Sequence, residues 1–134
     1  MEDHITIGVI GLGNAGAPIL NNLHNSKKYK LIAFDTDKNK LKDVPESITK
    51  VSSINDLASK CKVVLTCLPK PEHVLQVVDG EDGLLQNATS GMIWIDTSTT
   101  DFKQTQKLAE KAKTYGVSML EATLTGGVHA LQNN

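Results

Sequence analysis

An α/β fold with an open parallel sheet covered by helices on both faces is what this sequence predicts, on three observations. Short, near-continuous apolar runs recur along almost the whole chain, and between them lie segments with helical periodicity. One junction between a run and a helix carries three glycines. Strands buried on both faces read as continuous apolar stretches rather than alternating ones, and strand–helix alternation implies right-handed βαβ units.

The elements follow in order. Strand-like runs appear at 5–11 (ITIGVIG), 29–35 (YKLIAFD), 48–51 (ITKV), 61–68 (CKVVLTCL), 91–97 (GMIWIDT) and 116–122 (GVSMLEA). Helical segments are expected at 14–25, where Ile19, Leu20 and Leu23 share a side, and at 53–60, with Ile54, Leu57 and Ala58. A third spans 72–79 with Val74, Leu75 and Val78, and a fourth 101–115 with Phe102, Leu108, Ala109 and Ala112. Asp101 and Gln104 have the spacing of a capping box. One domain over 1–134 accommodates all of this, and the closing ALQNN has neither a helix stop nor a charged cap, as though a further element began there.

Composition excludes several classes. The chain has 40% hydrophobic and 22% charged residues and a formal net charge of −1, a balance that fits a globular chain and gives no bulk attraction for nucleic acid or a membrane surface. No apolar stretch approaches the ~18 residues of a membrane span, and no leader is visible before Ile5, which makes the cytoplasm the expected compartment. Cys61 and Cys67, at opposite ends of one strand-like run, are too far apart to pair and lack metal-ligand spacing. The four histidines are scattered, and no metal is expected. The acidic stretch Asp79-Gly80-Glu81-Asp82-Gly83 lacks the spacing of a calcium loop and reads as a solvated turn.

The sharpest feature is Gly11-Leu12-Gly13-Asn14-Ala15-Gly16, directly after a strand and opening a helix. Gly11 permits the turn out of the strand, Gly13 lets the backbone approach a pyrophosphate, and Gly16 lets the helix pack on the strand. The helix N-terminus supplies N–H groups and a positive dipole end. Asp35 stands at the end of the second strand, where a carboxylate accepts from the adenosine ribose hydroxyls and repels a 2′-phosphate. All fourteen basic residues are lysines, so the usual arginine clamp for that phosphate is missing. These features predict a Rossmann-type, doubly wound sheet of order 3-2-1-4-5-6 that binds NAD in preference to NADP. Two rivals share some of them: a non-catalytic dinucleotide-binding scaffold or sensor, and an S-adenosylmethionine-dependent methyltransferase. Gly16, tight against the helix, speaks against the second.

The stretch VIGLGNAGAPILNNL (9–23) resembles the N-terminal signature of the β-hydroxyacid dehydrogenases, which include 3-hydroxyisobutyrate and 6-phosphogluconate dehydrogenases. Three blocks match in order, VVLTCLPKPEHV (63–74), WIDTSTTD (94–101) and EATLTGG (121–127), and the likeness is greater to the 3-hydroxyisobutyrate branch. The resemblance implies that Leu68 and Pro69 border the cofactor after the fourth strand. It implies that Thr99 contacts the nicotinamide ribose side, and that Thr125, Gly126 and Gly127 hold the carboxylate of a small β-hydroxy acid. Taken alone, Leu68-Pro69 also reads as a strand end stopped by proline, Thr99 about equally as a solvated loop residue near a helix cap, and Gly126-Gly127 more often as a plain turn.

The chain departs from the family pattern at Ala15, Ile19 and Leu20 in the signature, and at Glu121, Thr123, Leu124 and Thr125 in the substrate block. Pro18 fits the pattern, at an expected cost of about one helical hydrogen bond. The family's proton-transfer lysine lies in an all-helical second domain, and no lysine follows Lys113 here. The resemblance therefore implies the dinucleotide half of an enzyme, with no catalytic residue of its own, drawn from a homo-oligomeric parent.

Overall fold

A computed structural model of the chain describes residues 4–122. Six strands form one parallel sheet in the order β3-β2-β1-β4-β5-β6: β1 (Thr6–Ile10), β2 (Lys30–Phe34), β3 (Thr49–Lys50), β4 (Val63–Thr66), β5 (Ile93–Asp96) and β6 (Ser118–Glu121). This is the expected order, and all six strands lie within the apolar runs that predicted them. The helices are α1 (Gly16–Ser26), α2 (Ile54–Ala58), α3 (Pro71–Asp79), α4 (Leu84–Asn87) and α5 (Phe102–Thr114).

Alternation along the strands explains why the runs are apolar throughout. Ile7 and Val9 of β1, with Leu31 and Ala33 of β2, face Leu20 of α1. Their neighbours Ile10, Ile32 and Phe34 face the opposite layer, where Leu57, Val74, Val78, Leu84, Leu85 and Leu108 close over Val64 and Trp94. Both faces of β1, β2 and β4 are thus covered by one layer each. Toward β6 the cover on the α1 side ends, and Ile93 and Leu120 are exposed.

Two local readings change. The helix Lys38–Leu41, a 3-10 turn capped by the Asp37 carboxylate, and the single turn α4 were not expected; each is too short to show a period. Asp101 caps α5 by accepting from the N–H groups of Lys103 and Gln104, but the capping box is only half formed. The Gln104 side chain turns away and donates to the Pro71 carbonyl at the start of α3 (2.7 Å), so a tertiary bond replaces the local one. Pro18 bears out its expected cost: the Ala17 N–H donates to the Gly13 carbonyl (3.1 Å) and the Ile19 N–H to the Ala15 carbonyl (3.2 Å), and the bond between them in this ladder is the one a proline cannot make.

The acidic stretch is a turn in which Glu81 and Asp82 are exposed, while Gly83 is buried and Asp79 at the end of α3 pairs with Lys111 of α5. No group of three or more His, Cys, Asp or Glu residues able to hold a metal occurs among the described residues, and no helix among them is long and apolar enough to cross a membrane.

Candidate functional site: a dinucleotide cleft at the sheet's switch point

Strand order reverses between β1 and β4, because β1 connects outward to β2 while β4 begins the other half. An open cleft of about 1430 Å³ lies across the carboxyl ends of the strands there. It is the crevice in which open α/β sheets bind ligands.

Three glycines build one wall, each for a different reason. Gly11 continues β1 by donating to the Phe34 carbonyl (3.0 Å), then turns with φ +99°, and a Cβ there would collide with the Cys67 carbonyl. A Cβ on Gly16 would collide with the carbonyl of Gly11, so the close packing of α1 on the turn requires its absence. Gly13 differs. A Cβ added to it would meet nothing nearer than the Lys40 Nζ at 3.9 Å, and its φ lies outside the left-handed region. Nothing among the described residues needs a glycine at 13; the open space above it belongs to the cleft. The first turn of α1 has no side-chain cap; its Ala17 N–H donates to the Gly13 carbonyl, and the positive end of the helix faces that space.

Asp35 fixes this loop to β2. Its Oδ2 accepts from the Leu12 N–H and its Oδ1 from the Asp37 N–H, both at 2.8 Å. The carboxylate is partly buried and lines the cleft. Each oxygen keeps a lone pair beyond these two bonds, so ribose hydroxyls can be accepted as well.

The other wall comes from the loops after β4 and β5. The Leu68 N–H donates to Ser98 Oγ (2.8 Å), which joins the two loops. Leu68, Pro69 and Thr99 all line the cleft, with Pro69 and Thr99 exposed to it. Cys67 lies on the floor between the walls. Burial pushes its thiol up from the usual range, the neighbouring Thr97 hydroxyl pulls it down, and the Asp96 carboxylate pushes it up further.

Of the cofactor residues expected from the sequence, Gly11, Leu12, Gly13, Asn14, Ala15, Asp35, Leu68, Pro69 and Thr99 all meet in this one cleft, and Gly16 shapes it from behind. Thr125, Gly126 and Gly127 lie outside the described residues. Sequence reasoning missed Lys40, Cys67 and Ser98. Lys40 projects from a 3-10 turn with no periodic signal. Cys67 reads as the end of an apolar run, and Ser98 stands one position before a residue that was singled out.

The residues present fit a dinucleotide: an open backbone cradle at Gly13, a helix start without a side-chain cap and a carboxylate lining the cleft are its recognition chemistry. Comparison with known proteins points the same way. Residues 6–134 match the family model described as the NAD binding domain of 6-phosphogluconate dehydrogenase. The mitochondrial 3-hydroxyisobutyrate dehydrogenase of Rattus norvegicus is 33% identical over 134 residues, a match covering 99% of this chain and 40% of that protein. A probable 3-hydroxyisobutyrate dehydrogenase of Dictyostelium discoideum is 35% identical over 123 residues, covering 91% of this chain and 38% of that protein.

Among solved structures, Mycobacterium tuberculosis 3-hydroxyisobutyrate dehydrogenase with L-serine superposes with a TM-score of 0.87 at 26% identity. The match covers 98% of this chain and 44% of that one. The chain thus spans about two fifths of the length of these relatives. With the motifs, the strand order and the family match in agreement, the chain belongs to the family of NAD-binding domains typified by 6-phosphogluconate dehydrogenase, and its relatives are 3-hydroxyisobutyrate dehydrogenases.

Proposed function

We propose that this chain is the NAD-binding half of an oxidoreductase that passes a hydride between the nicotinamide and the hydroxyl-bearing carbon of a small β-hydroxy acid of the 3-hydroxyisobutyrate type. The observation that carries the reading is Gly13, a glycine that the protein's own packing does not require, set where a pyrophosphate would lie over the start of α1. When bound, NAD supplies the hydride-accepting ring.

The chain's residues bind and orient. The loop Gly11–Gly16 takes the pyrophosphate, Asp35 the adenosine ribose, Leu68 and Pro69 the cofactor's flank, and Thr99 the nicotinamide ribose. Thr125, Gly126 and Gly127 hold the substrate carboxylate through backbone N–H groups and a hydroxyl. The proton of the substrate alcohol is taken by a lysine outside these 134 residues, in an all-helical second domain of a homo-oligomeric parent. The relatives' greater length supports that division. The cytoplasm is the proposed compartment; the word mitochondrial belongs to the relatives' names.

Calorimetric titration tests the reading. NAD is expected to bind with one site per chain and S-adenosylmethionine not to bind. Binding of S-adenosylmethionine, or no binding of either, overturns it.

A further inference from the structure

Below the cleft, the carboxyl ends of β4 and β5 are joined by a buried polar cluster that the proposed cofactor contacts do not include. Thr66 and Asp96 are register partners, 0% and 1% exposed. The Trp94 indole N–H donates to Thr66 Oγ1 (2.8 Å), and that hydroxyl donates to Asp96 Oδ1 (2.9 Å). Asp96 Oδ1 also accepts from the Ser98 N–H (3.0 Å). Ser98 Oγ in turn accepts from the Leu68 N–H. The chain of bonds therefore runs from the sheet core to both loops of one cleft wall. Asp96 Oδ2 is buried with no hydrogen-bond partner among the described residues.

A buried carboxylate that uses one oxygen twice and leaves the other without a partner is a costly residue for fold stability alone. Its two donors explain its place. The Thr66 hydroxyl and the Ser98 N–H both converge on Oδ1, and without that acceptor both would be buried and unsatisfied. Thr97 and the Ser98 hydroxyl keep their bonds to the Thr66 carbonyl, so what loosens is the Ser98 backbone and, through its side chain, the Leu68 N–H it holds.

We infer that Asp96 is a positioning residue for the nicotinamide half of the bound dinucleotide, acting through Ser98 on the Leu68 backbone and the loop carrying Thr99. It touches no part of the cofactor itself. The adenosine half, held by the glycine loop and Asp35 on the far side of the switch point, does not depend on it. The inference rests on the dinucleotide reading of the cleft and adds a residue to it.

The test uses the 134-residue chain and two ligands, NAD and ADP, which lacks the nicotinamide nucleoside. Asp96→Ala weakens NAD binding about tenfold and leaves ADP binding within about twofold, since only one wall loosens. Asp96→Asn keeps an acceptor oxygen at the Oδ1 position and restores NAD affinity to within about threefold of wild type. Equal loss of both ligands by Asp96→Ala, or no loss of either, overturns the inference, as does an Asn variant as weak as the Ala variant. Thermal melting checks that each variant is folded. If Asp96→Ala does not fold, Ser98→Ala carries the same comparison, because it removes the acceptor of the Leu68 N–H while leaving the carboxylate in place. Wild-type chain that binds neither ligand sinks the dinucleotide reading instead, a result distinct from any of these.

Discussion

Asp35 Oδ2 accepts the backbone N–H of Leu12 across 23 residues of sequence, at 2.8 Å. The residue proposed to take the adenosine ribose therefore also holds the glycine loop in place. Leu12 is 5% exposed, so its N–H has little access to water if that bond is lost. Under the proposed function, recognition of the ribose and the geometry of the glycine loop are coupled through one carboxylate.

Three consequences follow for Asp35→Ala. NAD binding weakens by about ten- to a hundredfold, from lost ribose bonds and a looser loop that together cost roughly 1.4–2.8 kcal/mol. The variant also melts lower, because the Leu12 N–H is left buried and unsatisfied at a cost of about 1–3 kcal/mol. NADP affinity falls less than NAD affinity, since the like charge facing the 2′-phosphate is gone. Titration of wild type and variant with both cofactors measures the ratio; a wild type that binds NADP as tightly as NAD removes Asp35 from the ribose role.

Gly13→Val separates binding from folding. Its Cβ meets only a lysine tip at 3.9 Å, so melting should change by no more than the ~0.5 kcal/mol of an ordinary surface substitution. NAD binding should fall at least about a hundredfold, as the branched side chain fills the space the pyrophosphate would use. Gly16→Val is the contrast, because its Cβ collides with the Gly11 carbonyl and stability is lost along with binding. Undiminished NAD affinity in Gly13→Val would show that the loop is only a turn.

The strands were legible because a parallel strand covered on both faces leaves an uninterrupted apolar run, as at 5–11 and 61–68. The dinucleotide loop was legible because its glycines have fixed spacing and an acid follows at the next strand's end. What stayed hidden depends on pairing between distant residues. Gln104 has the spacing of a capping box yet bonds to Pro71, a partner 33 residues away. Thr66 and Asp96 look like stray polar residues at two strand ends until register sets them side by side. The one-turn elements at 38–41 and 84–87 are shorter than any period that could announce them, and with the first went Lys40.

Cys67 offers a chemical readout of the cleft. Its raised pKa lowers the thiolate fraction at pH 7–8, and the thiolate is the form that alkylates. Iodoacetamide should therefore modify Cys67 more slowly than a free thiol near neutrality, with the rate climbing as pH rises toward and past the ~8.5 of an ordinary cysteine. Saturating NAD should slow it further by covering the cleft floor. Cys61, 5% exposed and pushed up to about 12 by burial against a smaller lowering from Lys60, should resist labelling in the folded chain. Peptide mapping after timed labelling gives both rates; Cys67 labelling that NAD does not slow would place the cofactor elsewhere.

The final prediction concerns chemistry. The 134-residue chain should bind NAD yet turn over no β-hydroxy acid at an enzymatic rate. The glycine loop, Asp35, Leu68 and Thr99 assemble the dinucleotide side of a site within the described residues. No base for the proton of the substrate alcohol is proposed among the described residues, and such a positioned base contributes about 10²–10⁴-fold. A second domain closing over the cleft would add orientation and exclusion of water, effects worth several kcal/mol more by general estimates of proximity. The cleft described here is open to solvent, so a hydroxy acid would meet the nicotinamide without either. The assay is NADH formation from 3-hydroxyisobutyrate and related β-hydroxy acids, run on chain already shown to bind NAD. Turnover approaching the ~10 s⁻¹ of an ordinary enzyme would mean that this chain carries its own base. Lys70, exposed beside Pro69 at the start of α3, is the first residue to substitute in that event.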